Sequence, residues 1–272
     1  MSGEATRVHP TAVVHSTAKL GVGVEIGPFA VIGPEVELGD RCYVGPHSIV
    51  EYATVGADCR FPAHAFIGTE PQDLKFKGEK TRLEVGSKTT VRECATLHRG
   101  TSAAGVTKVG SNCLIMAYAH VAHDCVLADN VILANGATLA GHVVVGPGAF
   151  FGGLSAIHQF ARVGTGAMIG GGAMVPNDVV PFCLVQGDRA KIRGLNIVGL
   201  RRRGLSRENL AGLKEAYRTL FFSGLGLAEA IAKIEAGPRF NELDVFLEFL
   251  RGSSGRGLCR PPADFDAEST DE

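Results

Sequence analysis

Residues 121–150 read VAHDCV LADNVI LANGAT LAGHVV VGPGAF, five hexads each opened by an aliphatic residue: Val121, Leu127, Leu133, Leu139 and Val145. The beat runs back through Ile115 to Val109 and forward through Phe151, Ile157, Val163 and Ile169 to Val175, twelve hexads without a slip. An earlier run opens at Val8, Val14, Leu20, Ile26, Ile32, Leu38, Val44 and Val50. It slips by one residue and resumes at Val55, Phe61 and Ile67. Gly or Ala often stands second in the hexad, and a small residue or Val often stands fifth.

A sustained period of this kind is the signature of a parallel β-helix. Each hexad supplies one short strand and a turn. Three hexads close a triangular coil of about eighteen residues, stacked about 4.8 Å from the next. The opener points inward, and stability comes from stacking, because one coil cannot bury its own core. Gly21, Gly27, Gly33, Gly39 and Gly45 are expected to supply φ > 0 at tight corners. A β-sandwich of short alternating strands would not keep such a beat.

Composition fits this fold. Hydrophobic residues make up 45% of the chain, Trp is absent, and no apolar run is long enough to span a bilayer. Hexads begin at Val8 with no charged-then-apolar leader before them. Cys42, Cys59, Cys113 and Cys125 fall on the small fifth position, as buried free thiols of a reducing cytoplasm would. A net charge of −1 gives no global footprint for nucleic acid or another polyanion. After Pro181 the beat stops. Ser206 is a natural N-cap for a helix carrying Leu210, Leu213, Tyr217, Leu220 and Phe221, and two more helices are expected over 228–234 and 242–250. The expected organisation is a β-helix over 1–190 with loops 68–84 and 100–108, an α-helical cap over 191–258, and an acidic, unstructured tail over 259–272.

The period is also a ruler. Five of the nine histidines lie between 98 and 158. His98, His123, His142 and His158 fall on one face in successive coils, and His120 sits at the corner entering it. Both long loops leave from the same face, and insertions on one side of a solenoid commonly mark the binding side. Imidazole is the side chain whose proton moves near neutral pH. Asp124 follows His123 where the chain turns, so the two can touch. Two chemistries suit this stripe: acyl transfer with His as general base, and a zinc hydrolyase with three His ligands, as in the similar solenoid of the γ-type carbonic anhydrases. A third alternative is a solenoid whose stripe only binds a partner. The period does not choose among them.

The blocks Gln72-Asp73-Leu74-Lys75, Thr96-Leu97-His98-Arg99-Gly100-Thr101 and Ala119-His120-Val121-Ala122-His123-Asp124-Cys125 resemble the UDP-N-acetylglucosamine O-acyltransferases of lipid A synthesis. So do Leu139-Ala140-Gly141-His142, Ile157-His158-Gln159-Phe160, Gln186-Gly187 and Gly199-Leu200-Arg201-Arg202-Arg203-Gly204. The likeness covers about residues 7–258. It implies a left-handed β-helix, against the usual crossover hand, and a homotrimer with sites between subunits. It implies transfer of a 3-hydroxyacyl chain from acyl carrier protein to the 3-hydroxyl of UDP-N-acetylglucosamine, without metal or cofactor and without membrane insertion.

Carried over residue by residue, the resemblance makes His123 the general base, Asp124 its orienting partner and the Gly141 N–H the oxyanion donor. Asp73, His142 and Gln159 match positions that contact sugar nucleotide or acyl group, with Gln72, Lys75, His98, His120 and His158 around them. Asn196 and Arg202 or Arg203 match the nucleotide end. Lys191, Arg193, Arg201, Arg202, Arg203 and Arg207 form a basic rim suited to an acidic carrier. Gly171 matches a position that closes the acyl groove, with Met168, Met174 and Arg189 as further lining. The chain departs from better-known members at Val198, where they carry an acid, and at Arg189, where they carry His.

Overall fold

The computed structural model describes residues 5–263. Three hexads make each turn of a β-solenoid, and each hexad contributes one strand, most of them two residues long. Strands stack in parallel into sheets of 11, 9 and 8 strands. In one coil, Leu114–Ile115 lies in the 11-stranded first sheet, His120–Val121 in the 9-stranded second and Val126–Leu127 in the 8-stranded third. Register follows the ruler: Ile115 pairs with Leu133, Leu133 with Phe151 and Phe151 with Ile169. The slip after Val50 is absorbed between coils, where Val50 pairs with Ile67.

The openers form one continuous core. Ile115, Val121, Leu133, Leu139, Phe151 and Ile169 are all 0% exposed. Val8 is 44% exposed because a terminal coil has a neighbour on one side only. The seven cysteines are free thiols, all buried except the half-buried Cys94.

The corner glycines work differently from expectation. Positive φ falls on Phe29 (56°), Glu35 (54°), Arg41 (57°) and His47 (57°), two residues after the hexad-second glycines. Those glycines are needed because the next coil passes over them. A Cβ on Gly39 would lie 2.6 Å from the Ala57 nitrogen, and one on Gly45 would lie 2.7 Å from the Pro62 carbonyl carbon. Most of the left-handed corners are borne by ordinary side chains, a strain that stacking holds in place, and glycine takes the equivalent position at Gly23, Gly136, Gly148, Gly166 and Gly172.

The solenoid ends in an antiparallel hairpin. Cys183–Gln186 pairs with Met168–Ile169 on one side and Lys191–Leu195 on the other, so the first sheet runs across the expected boundary at 190. Four helices follow: α1 (Ile197–Arg202), α2 (Arg207–Phe222), α3 (Leu227–Glu235) and α4 (Asn241–Arg251). Ser206 caps α2 by accepting from the Asn209 amide at 3.1 Å. α1 is an element the hydrophobic pattern did not announce; it is six residues long and buries only Leu200. Among the described residues, no helix is long and apolar enough to cross a membrane.

After α4 the chain returns over the last coil as a strap. Buried Asp178 organises it, accepting from the Arg162 amide and Nε (both 2.8 Å) and from the Ser254 hydroxyl (2.6 Å). Its main chain exchanges hydrogen bonds with Gly257 and Cys259. Cys259 is 2% exposed and the Arg260 carbonyl accepts from Ile192, so these two residues of the expected tail are docked. Residues 264–272 lie outside the described residues.

Candidate active site

The edge where the second sheet turns into the third carries the candidate site. Residues 18 apart occupy equivalent corner positions, so His123, Gly141 and Gln159 form one column. Asp124 (φ 60°), His142 (φ 63°) and Phe160 (φ 67°) form the next. The left-handed turn at Asp124 brings its side chain back to its neighbour. His123 Nδ1 lies 2.8 Å from Asp124 Oδ2. Two adjacent residues in a straight strand could not do this.

Asp124 is held on every side. The Thr101 hydroxyl donates to Oδ2 at 2.6 Å and the Thr101 amide to Oδ1 at 2.9 Å. The Asp124 amide donates to the Thr107 hydroxyl at 2.7 Å. Burial by itself would push the carboxyl up, but the Thr101 hydroxyl, His123, the Thr101 amide and the His142 charge outweigh it. The net effect holds the carboxyl below the usual carboxylate range. An ionised Asp124 only accepts, so the ring proton of His123 sits on Nδ1 and Nε2 keeps its lone pair.

Gly141 passes directly beside that ring. A Cβ there would fall 2.6 Å from His123 Cε1 and 2.8 Å from Nε2. The Ala140 and His142 amides donate to Ile157 and His123, whereas the Gly141 N–H has no acceptor among the described residues. The His142 ring meets His123 edge-on at 5.2 Å and stacks on Phe160 at 4.6 Å, with its Nε2 3.7 Å from Asp124 Oδ2. Donor atoms of His123, Asp124 and His142 all lie within 4.8 Å of one another, close enough to share a metal ion.

His98 and His120 sit one step back, ring to ring at 4.8 Å. His120 shares a 2.7 Å hydrogen bond with the Thr96 hydroxyl. His98 departs from the expected exposed stripe: it is 3% exposed and its Nδ1 has no partner among the described residues. The strands are extended where the insertions leave, and Thr69 pairs opposite His98. Burial, then the charges of His120, His123 and Arg99, pushes the His98 imidazole down to about 4. Burial and His123 lower His120 as well. Buried Arg99 ties down the first loop, reaching Glu51 (3.3 Å) and the Gly68 carbonyl (3.2 Å) and packing over the rings of Tyr52 and Phe76. In that loop Asp73 accepts from the Lys75 amide at 3.0 Å, with Gln72 and Lys75 exposed.

The remaining expected residues stand elsewhere. His158 and exposed Gln159 occupy the same edge one coil beyond His142. His158 borders a groove of ≈ 290 Å³ with Met174, Pro176, Asp188 and Arg189. Gly171 does not line it; it lies at the first-to-second edge, where a Cβ would meet nothing nearer than the Gly153 carbonyl at 3.5 Å. Asn196 caps α1, accepting from Gly199 at 3.0 Å and donating to the Gly166 carbonyl at 3.1 Å. Arg203 donates to the carbonyls of Pro147 and Gly148 at 3.2 and 3.1 Å. These contacts are on the third-to-first edge, so within one chain they do not join His123. Arg202 is exposed. Thr101 and Phe160 had no assigned role from sequence. Phe160 was within reach of the ruler, 18 residues beyond His142; Thr101 was not, since its contact depends on a loop.

Known proteins match this chain over most of its length. A profile for the second domain of UDP-N-acetylglucosamine O-acyltransferases matches residues 178–259, and bacterial transferase hexapeptide repeats match 17–52 and 107–141. The chain is 49% identical over 210 residues to an acyl-[acyl-carrier-protein]–UDP-N-acetylglucosamine O-acyltransferase of Anaeromyxobacter sp. (strain Fw109-5), covering 76% of this chain and 81% of the relative. It is 48% identical over 256 residues to the enzyme of the same description from Anaeromyxobacter sp. (strain K), covering 93% and 99%. The solved structure of LpxA from Acinetobacter baumannii superposes with a TM-score of 0.91 at 38% identity, covering 93% of this chain and 99% of that one. The chain belongs to the UDP-N-acetylglucosamine O-acyltransferase family.

Proposed function

We propose that this enzyme moves a 3-hydroxyacyl chain from acyl carrier protein to the 3-hydroxyl of UDP-N-acetylglucosamine, with His123 as general base. The observation that carries the reading is the Thr101–Asp124–His123 chain of hydrogen bonds, which leaves the imidazole Nε2 free beside the Gly141 amide. Nε2 takes the hydroxyl proton as the oxygen attacks the thioester carbonyl. The Gly141 N–H meets the oxygen that becomes negative, and Asp124 balances the imidazolium that forms. Collapse of the tetrahedral adduct breaks the carbon–sulfur bond, and the carrier thiolate takes the proton back from His123. The exchange needs no cofactor.

The groove beside His158, lined mainly by Ala156, Ile157, Met174 and Val175, suits an acyl tail. Asn196 and Arg203 lie on a different edge of the prism, so a homotrimer of left-handed coils, with a neighbour's edge facing His123, would complete a nucleotide site. Lys191, Arg193, Arg201, Arg202 and Arg207 are all exposed and form a rim for an acidic carrier. The buried free thiols suit the cytoplasm.

Incubating purified protein with 3-hydroxyacyl carrier and UDP-N-acetylglucosamine, or its 3-amino analogue, and weighing the product tests the reading. Product from the hydroxyl sugar is expected; product from the amino analogue alone would overturn the acceptor assignment. The zinc alternative with three His ligands is not what the cluster offers: it holds two His and Asp124, and Asp124 would have to release Thr101 and His123 to bind metal. CO₂ hydration lost on chelation would select zinc chemistry instead.

A further inference from the structure

The strap after α4 brings one side chain to the candidate site that nothing in the hexads pointed to. Arg256 Nε donates to the Gln159 carbonyl at 3.0 Å, and its guanidinium contacts the His158 imidazole, with Nη2 3.3 Å from Nε2 as well as against Nδ1. His158 and Gln159 are otherwise exposed corner residues, one coil beyond Gly141 and His142. They have no carboxylate or hydroxyl to orient them among the described contacts. The Arg256 head thus meets the His158 ring and the main-chain carbonyl of Gln159.

Its own position is well determined. The Arg256 carbonyl accepts from the Asn177 side chain, and its amide donates to the Ser254 hydroxyl at 3.1 Å. Ser254 in turn donates to Asp178, which also holds Arg162. Gly257 and Cys259 close main-chain bonds to Asp178 on the far side. Main-chain and neighbouring groups hold the strap, and the Arg256 guanidinium is left to act outward. No described carboxylate pairs with it, and Asp188 and Arg189 line the same groove as His158. The Gln159 carbonyl, which can only accept, lies 3.1 Å from His158 Nδ1 and 3.0 Å from Arg256 Nε, so both side chains converge on it.

We infer that Arg256 is a positioning residue of the acyl-transfer site: the carboxy-terminal strap uses it, anchored on the Gln159 carbonyl, to fix the His158 ring for substrate. This rests on the function proposed above. Arg256 acts through His158, so both side chains govern the binding of the same substrate and neither moves the proton.

The test is a double-mutant cycle of Arg256→Met and His158→Ala in the full-length protein. It reads kcat, KM for carrier thioester and for sugar nucleotide, and the melting temperature. Losing a charge-assisted hydrogen bond of this kind costs about tenfold in binding. Arg256→Met is expected to raise one KM about tenfold, with kcat within about twofold and the melting temperature nearly unchanged. His158→Ala should raise the same KM, and adding Arg256→Met to it should do little more. Unchanged KM values, or effects that multiply fully, would overturn the inference. If Arg256→Met fails to fold, Arg256→Lys decides: one ammonium cannot serve both partners in the guanidinium plane, so an unchanged KM refutes the assignment. Wild type that neither transfers nor binds sugar nucleotide would sink the proposed function and this inference with it. Active wild type beside an unaffected variant sinks the inference alone.

Discussion

Replacing Gly141 by alanine adds one methyl group, and the structure says where it goes. The new Cβ would lie 2.6 Å from His123 Cε1, 2.8 Å from Nε2 and 3.2 Å from Nδ1. Carbon atoms in ordinary contact sit about 3.5–4.0 Å apart, so the imidazole must retreat by about 1 Å. Its bond to Asp124 is 2.8 Å long, and a stretch of about 1 Å would take it to about 3.8 Å, outside hydrogen-bond reach. Asp124 cannot follow, since Thr101 holds both of its oxygens. A displacement of about 1 Å at a reacting group costs on the order of 100-fold in rate, or about 2.7 kcal/mol of barrier. Gly141 has no positive φ, so alanine imposes no backbone strain. The Gly141 amide also remains, so the loss reports the imidazole. The assay is acyl transfer at saturating carrier and sugar nucleotide, with thermal melting alongside. A folded Gly141→Ala enzyme keeping more than half of the wild-type rate would refute the reasoning.

Other outcomes follow from the same structure. Thr101→Val removes the hydroxyl that donates to Asp124 at 2.6 Å; transfer should fall about tenfold and stability by about 1–2 kcal/mol, checked by kinetics and urea unfolding. His98 has its imidazole lowered from 6.5 to about 4, so it binds its proton more readily when unfolded. That contribution to stability is complete above pH 6.5 and is lost as pH falls toward 4, by at most about 3 kcal/mol. Urea midpoints at pH 7, 5.5 and 4.5 should therefore fall more steeply for wild type than for His98→Gln. Gly39→Ala places a Cβ 2.6 Å from the Ala57 nitrogen and should destabilise by about 1–3 kcal/mol. An unchanged melting temperature there would contradict the close-approach account.

Much of this was legible in sequence because a solenoid converts spacing into position. The openers Ile115, Leu133 and Phe151 lie where the period puts them; the histidines gather along one side, but His123 and His142 stand at the turn and His120, expected at a corner, is in a strand. What the period could not supply was contact made by other means. The glycine at position 39 reads equally well as a turn residue or as a passage for the next coil, and only stacked coordinates separate the two. His98 occupies an outward position by the period, yet it is buried, with Thr69 paired opposite and the His120 ring against it. Thr101 reaches Asp124 from a loop with no period, and Arg256 arrives on a strap from 97 residues beyond Gln159. Cys259 lies in a stretch whose polar composition hides its docking against Asp178.

The central claim is that His123 Nε2 takes the hydroxyl proton. Single-turnover acyl transfer by His123→Ala, with substrates saturating and folding verified by melting temperature, tests it most directly. A general base contributes at least about 100-fold, so the variant should lose at least that much of the chemical step. A folded variant keeping more than about a tenth of the wild-type rate would contradict the assignment.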